Sequence, residues 1–166
     1  DRKPGVIKFL MEIIEISCGR LTASNLDSLL SNPAIQIQQR ISREEVTQLT
    51  NYLQETGLRW GIDKIERQGD ESHSLNWCLE RWLLGLILPS SPGLSPNGVA
   101  PFTEGITPAE VVQWWALLST ICISIQELRR PRICTDWIDL LKNLVQDFFG
   151  NGGNWYQFEH ASAKIL

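Results

Sequence analysis

The sequence predicts an all-α protein: a single irregular helical domain of six or seven helices over residues 1–166. Three observations carry that prediction. Apolar residues recur at helical spacing in successive segments, beginning with Val6, Phe9, Leu10, Ile13 and Ile14. Helix starts are written into the chain as capping boxes, Ser42 with Glu45 and Thr107 with Glu110. No segment shows a persuasive apolar–polar alternation of the kind a half-buried strand needs. Of the 166 residues, 43% are hydrophobic and 20% charged, enough apolar side chain for one core in one domain.

The elements follow in order. A first helix runs from Val6 to Ile16, and Gly19 ends it. Thr22 caps a short second helix that carries Leu26, Leu29 and Leu30. Pro33 closes that helix or opens the next turn. Ile35 and Ile37 alternate with glutamines, a pattern shared by one helical turn and an extended segment. The box at Ser42 starts a helix with Val46, Leu49, Tyr52 and Leu53 on its inner face, and Gly57 stops it in the left-handed conformation. Residues 64–72 are polar and read as a loop. Ser74 caps a helix from Leu75 to Leu88 that is apolar almost all round, which places it at the centre of the fold. Pro89 stops it, and residues 89–106, rich in proline and glycine, form an irregular loop. With Thr107 as cap and Pro108 in the first turn, a helix of about six turns reaches Arg130 before Pro131. Thr135 caps the next helix, which carries Trp137 to Phe149 and is broken by the glycine-rich stretch from Gly150 to Gly153. Trp155 to Ile165 suits a last helix. The seven tryptophans fall mostly on apolar helix faces and are expected mostly in the core.

The net charge of −4 and isoelectric point near 5.2 argue against a self-sufficient DNA-binding module, because phosphate contacts dominate such affinity. They leave room for a local basic face. The densest positive patch is Arg129, Arg130 and Arg132, at a helix C-terminus where the macrodipole also favours cations. The longest apolar run, Trp82 to Leu88, is too short to cross a bilayer. The polar start at Asp1-Arg2-Lys3-Pro4 does not read as a signal peptide, and without an initiator methionine the chain reads as a piece of a longer protein. The expected setting is the cytoplasm, with no membrane. Cys18, Cys78, Cys122 and Cys134 form no C-x-x-C pair, and His73 and His160 stand at no ligand spacing from them. No metal site or cofactor is expected, and the thiols are expected reduced and largely buried. The chain has no phosphate loop and no nucleophile elbow. Its carboxylates sit mostly at helix starts, where they serve as caps and dipole partners, so no catalytic residue is named.

The least generic run is Gly57-Leu58-Arg59-Trp60-Gly61-Ile62-Asp63. Two glycines frame a planar cation beside a planar ring. Arginine pairs with phosphate and tryptophan stacks on bases, so the run suits a nucleic-acid contact. It equally suits a helix-end corner in which Trp60 plugs the core and Arg59 pairs with Asp63.

These residues resemble a known family. Leu58-Arg59-Trp60-Gly61-Ile62-Asp63 is similar to the "IRWGID" run of the RecC subunits of exodeoxyribonuclease V. The resemblance extends through His73-Ser74 and through Leu79, Arg81, Leu83, Leu84 and Gly85, which look like the family's "HTW..GL.R.LLGY" helix. Thr22-Ala23-Ser24, Leu29-Leu30 and Pro33 resemble its phenylalanine-threonine, leucine-leucine, proline pattern. Leu75 stands where the family has Trp, and Leu86 where it has Tyr. The resemblance covers roughly residues 20 to 150. It implies a helicase-like subdomain without ATPase motifs, in a subunit that holds a RecB-like helicase-nuclease and a RecD-like helicase together. That subunit channels the split DNA strands and scans one for the Chi sequence, in double-strand break repair. The chain itself is then scaffold or channel wall, with Arg59, Trp60 and Arg81 as candidate DNA contacts. The alternative is a free-standing helical interaction module unrelated to DNA.

Overall fold

The computed structural model describes residues 5–88, 98–103 and 105–150, with seven helices and, among these residues, no strand. They are α1 (Val6–Cys18), α2 (Ala23–Leu30), α3 (Pro33–Gln39), α4 (Arg43–Thr56), α5 (Leu75–Ile87), α6 (Pro108–Leu128) and α7 (Cys134–Phe149). The expected helix over 155–165 and most of the 89–106 loop lie outside the described residues.

The caps explain where the helices begin. Ser42 Oγ accepts from the Glu45 N–H at 3.1 Å while Glu45 Oε2 accepts from the Ser42 N–H at 2.6 Å, so two otherwise unpaired donors are satisfied at once. Thr107 and Glu110 repeat the arrangement. Thr22 forms a third box with Asn25 in the acidic position. The ambiguity over Pro33 resolves in favour of a new helix. Asn32 Oδ1 accepts from the Ala34 N–H at 3.0 Å, and Pro33 takes the first turn, where its missing N–H costs nothing.

α2 packs on α4, α1 on α6, and α3 on α7. Phe9 of α1 meets Phe148 and Phe149 of α7 at ring-centroid distances of 4.8 and 5.0 Å. The centre of the fold is α6 rather than α5. α6 buries Val111, Trp114, Leu117, Leu118, Ile121, Cys122, Ile125 and Leu128. α5 buries Leu75, Cys78, Leu79 and Trp82 but leaves Leu83, Leu86 and Ile87 exposed. An almost wholly apolar helix is therefore half surface here, because apolar composition does not say which neighbours are present. By length and composition α6 would also pass for a membrane span, yet half of its apolar window is buried within the fold.

Two other expectations, the cap of α7 and the largely buried thiols, need correction, and the expectation for the tryptophans holds for most of the described ones. α7 starts at Cys134 with Ile133 as its cap residue and no side-chain cap, so Thr135 lies inside the first turn. Of the tryptophans, Trp82 and Trp114 are buried and Trp77 and Trp137 pack partly buried against the core, but Trp60 is only half-buried and Trp115 is exposed. Only two of the four thiols are buried: Cys78 and Cys122 lie inside, Cys18 and Cys134 on the surface.

The buried pair has a measurable consequence. Burial pushes the Cys78 thiol up to about 12, against a smaller opposing effect of Arg81. Burial, with Glu66 and Asp63 adding to it, does the same to Cys122. Thiolate is the reactive form. A disulfide reagent at mildly alkaline pH should therefore modify Cys18 and Cys134 quickly, and Cys78 and Cys122 only after denaturation, as counted by mass spectrometry. The same shifts bear on stability. The folded state keeps two protons that the unfolded chain releases above the ordinary value of 9.0, so stability should fall as pH rises from 9.0 towards about 12.

Candidate nucleic-acid interface

The corner after α4 is built from its backbone outward. The Gly57 N–H donates to Gln54 O at 3.0 Å and the Leu58 N–H to Leu53 O at 2.8 Å, a Schellman ending with Gly57 at φ 104°. His73 Nδ1–H donates to Gly57 O at 2.7 Å, and the Arg59 N–H donates to His73 O at 3.0 Å. Gly61, at φ 87°, donates to Leu21 O at 2.8 Å and accepts from the Leu75 N–H at 2.9 Å. The corner thus joins the start of α2 to the start of α5. A Cβ at Gly61 would also crowd Arg67 Cγ, at 3.1 Å. Leu58 and Ile62 point inward and are buried.

Asp63 does not pair with Arg59. Its Oδ1 accepts from the Ile65 and Glu66 N–H groups at 2.9 and 3.0 Å, and its Oδ2 from Gln126 Nε2 at 3.3 Å. It caps the turn that follows and ties it to α6. Glu66 continues the network. Its Oε2 accepts from the Ile62 N–H at 2.7 Å and its Oε1 from Arg129 Nη2 at 3.0 Å. Arg129 in turn donates to Ser17 O at 2.9 Å and Gly19 O at 3.2 Å, satisfying carbonyls at the end of α1.

Trp60 is not a core plug. It is half-buried, with the Arg20 guanidinium 4.4 Å and the Arg67 guanidinium 4.6 Å from its ring centroid. Arg67 is held in place: Nη1 donates to Trp60 O at 3.2 Å, Nε donates to Asp70 O at 3.2 Å, and Asp70 Oδ2 lies 3.8 Å from Nη2. The Ser72 N–H, bonded to Asp70, holds that carboxyl below its usual range. Such cation–ring contacts at a partly exposed site are each worth about 0.5–1 kcal/mol. Trp60→Ala should accordingly cost roughly 1–2 kcal/mol in a urea titration, far from the loss a buried indole would give.

Arg59 is exposed, and its side chain has no hydrogen bond or ion pair among the described residues. Arg20 and Lys64 are exposed nearby in the sequence of the corner and its neighbours, without an ion pair among those residues. Arg81 is placed differently. Its Nε donates to Ala100 O at 2.8 Å, its Nη1 donates to Thr56 O, and its guanidinium lies 4.8 Å from the Trp77 ring centroid. The arginine patch at the end of α6 is also engaged, Arg129 with Glu66 and both Arg130 and Arg132 with Glu127. The structure therefore brings Arg59 and Trp60 together with Arg20 and Arg67, and sets Arg81 into the joint between α5 and segment 100–102. Arg20 and Arg67 carried no sequence signal of their own, because each reaches Trp60 only through the folded corner.

The model of the RecBCD enzyme subunit RecC fourth domain matches residues 3–165. The chain belongs to the RecC fourth-domain family. Among its relatives is the RecBCD enzyme subunit RecC of Escherichia coli (strain K12), 24% identical over 151 residues, which cover 87% of this chain and 13% of that protein. The RecC subunits of two Buchnera aphidicola strains, from Baizongia pistaciae and Acyrthosiphon pisum, are 23% and 24% identical over 96% and 84% of this chain, and 14% of each of those proteins. The chain spans about a seventh of the length of the relatives it matches. Within this RecC domain the Gly57–Asp63 run builds a joint: Leu58 and Ile62 face inward, Gly57 and Gly61 take positive φ, Asp63 caps, and Arg59 and Trp60 are left at the surface.

Proposed function

We propose that this RecC fourth domain is a scaffold and DNA-channel element of a RecC-type subunit in a RecBCD-type, ATP-dependent exodeoxyribonuclease V. The family match over residues 3–165 carries the reading. In it, the domain is a helicase-like subdomain that binds and shapes, while RecB-like and RecD-like partners supply the chemistry of double-strand break repair and recombination in the cytoplasm. Arg59 is the side chain expected to meet phosphate, being exposed and unpaired among the described residues. Trp60 holds Arg20 beside the corner and keeps part of its ring in solvent. Arg81 reaches DNA only by releasing Thr56 and Ala100, so its replacement is expected to loosen the fold as well.

The test uses the assembled complex. With Arg59→Ala the three subunits should still co-purify and melt as before. Binding to forked DNA should weaken, and its salt dependence should fall by about one phosphate contact. Unchanged DNA binding would remove the corner from the channel. Loss of co-purification would make it a subunit joint instead. A free-standing interaction module, the second reading, is favoured by the acidic net charge of −4. It predicts no DNA effect from any of these changes.

A further inference from the structure

α6 and α7 are consecutive, yet α7 packs on α3 and α1 and leaves a groove alongside α6. Two adjoining hollows, about 390 and 170 Å³, share Asp147 and run along the pair. The α6 wall is one helical face, from Gln113 through Ala116, Thr120 and Ile123 to Glu127. That face is about 21 Å long, or some four turns.

Its chemistry is specific. Ile123, 59% exposed, stands with Leu140 and Leu144 in the larger hollow. Val112, 70% exposed, lies near the Ile123 side of the same helix towards the start of α6. The α7 wall carries Asp136, Asp139 and Asp147 at the i, i+3 and i+11 positions of one face. Asp147 has no ion pair or hydrogen bond among the described residues, Asp136 only a long 3.4 Å contact from Thr135, and Asp139 only Lys142 at 3.9 Å. Among the described lining residues the one cation, Arg132, is already paired with Glu127.

We propose that this groove docks a basic amphipathic helix of a partner protein. A helix of about four turns matches its length. Apolar side chains at i, i+3, i+4 and i+7 would cover Ile123 and Leu140, as helix-in-groove recognition requires. Lysines or arginines on the flanks would meet the three aspartates. Like charge opposes a phosphate backbone here, which separates this face from the Arg59 corner. The assignment stands on the groove alone and is independent of the DNA reading.

The probe is a labelled helical peptide of about four turns with Leu and Lys at helical spacing, compared with its Glu-for-Lys counterpart. The Lys peptide should bind and the Glu peptide should not. Ile123→Ser, at an exposed position, and the combined Asp136→Asn, Asp139→Asn, Asp147→Asn variant should each weaken binding about tenfold with the thermal transition unchanged. A photo-reactive residue at a peptide Leu position should label the α6 segment around Ile123 or the α7 segment around Leu140. Equal affinity in the variants, or labelling elsewhere, overturns the proposal. Crosslinking of single-stranded DNA to the α6 segment around Ile123 or the α7 segment around Leu140 overturns it by making the groove a nucleic-acid site. Self-association in sedimentation that Ile123→Ser abolishes overturns it by making a second copy the occupant.

Discussion

Trp82→Ala should lower stability by about 3–5 kcal/mol, read as a shifted urea midpoint at unchanged slope. Trp82 is the largest fully buried side chain in the structure. Its removal leaves a cavity that the α4, α5 and α6 backbones can only partly close. The indole is also a structural donor: Nε1–H bonds to Thr56 Oγ1 at 2.7 Å, and the Thr56 hydroxyl donates to Tyr52 O at 2.6 Å. Thr56 is buried and immediately precedes Gly57, so the loss reaches the start of the Arg59 corner. Trp82→Phe keeps most of the ring and loses the hydrogen bond, and should cost only about 1–2 kcal/mol. A Trp82→Ala protein as stable as the wild type would contradict the packing described for α5.

Gly85→Ala should be the second large effect, and its sign is informative. In an exposed helix interior, alanine in place of glycine stabilises by up to about 1 kcal/mol. Here a Cβ would fall 1.7 Å from Phe102 O and 2.7 Å from its carbonyl carbon. Segment 100–102 lies backbone against backbone on α5, pinned by the Phe102 N–H donating to Arg81 O at 2.9 Å and by Arg81 Nε donating to Ala100 O at 2.8 Å. One methyl group must push that segment off the helix and expose Phe102, which is buried. The expected loss is about 3 kcal/mol, or roughly 10 °C in Tm. A neutral or stabilising Gly85→Ala would mean that the segment does not sit on α5.

Much of this architecture is legible in the letters. Ser42 with Glu45 and Thr107 with Glu110 mark helix starts because capping is local chemistry, and Gly57 marks an end for the same reason. Asn32 before Pro33 would have settled the third helix, since both residues favour a start. The ranking of α5 and α6 was not legible, because both read as apolar and only the tertiary neighbours decide which faces are covered. The failure at α7 is of the same kind: Thr135 is a good cap residue, but the helix begins before it at Cys134. At the corner, the run Gly57–Asp63 announced itself through its two glycines and aromatic–cation pair. What it could not announce was the division of labour. Asp63 turns to backbone N–H groups and Gln126 because those lie nearer than Arg59 in the folded turn. Trp60 acquires Arg20 and Arg67 from positions with no pattern linking them to it. The α6–α7 groove left no trace, since a gap between two helices is a property of their packing.

The most direct measurement is fluorescence anisotropy of labelled forked and single-stranded DNA against this chain across a salt series. The account predicts weak binding that falls with salt. Arg59→Ala should lower the single-strand slope by about 0.7 with the thermal transition unchanged, and Arg20→Ala should lower the slope by a similar amount at a cost of about 0.5–1 kcal/mol in stability from its lost contact with the Trp60 ring. Absence of binding at low salt, or binding that both replacements leave intact, would contradict a DNA contact at the Arg59–Trp60 corner.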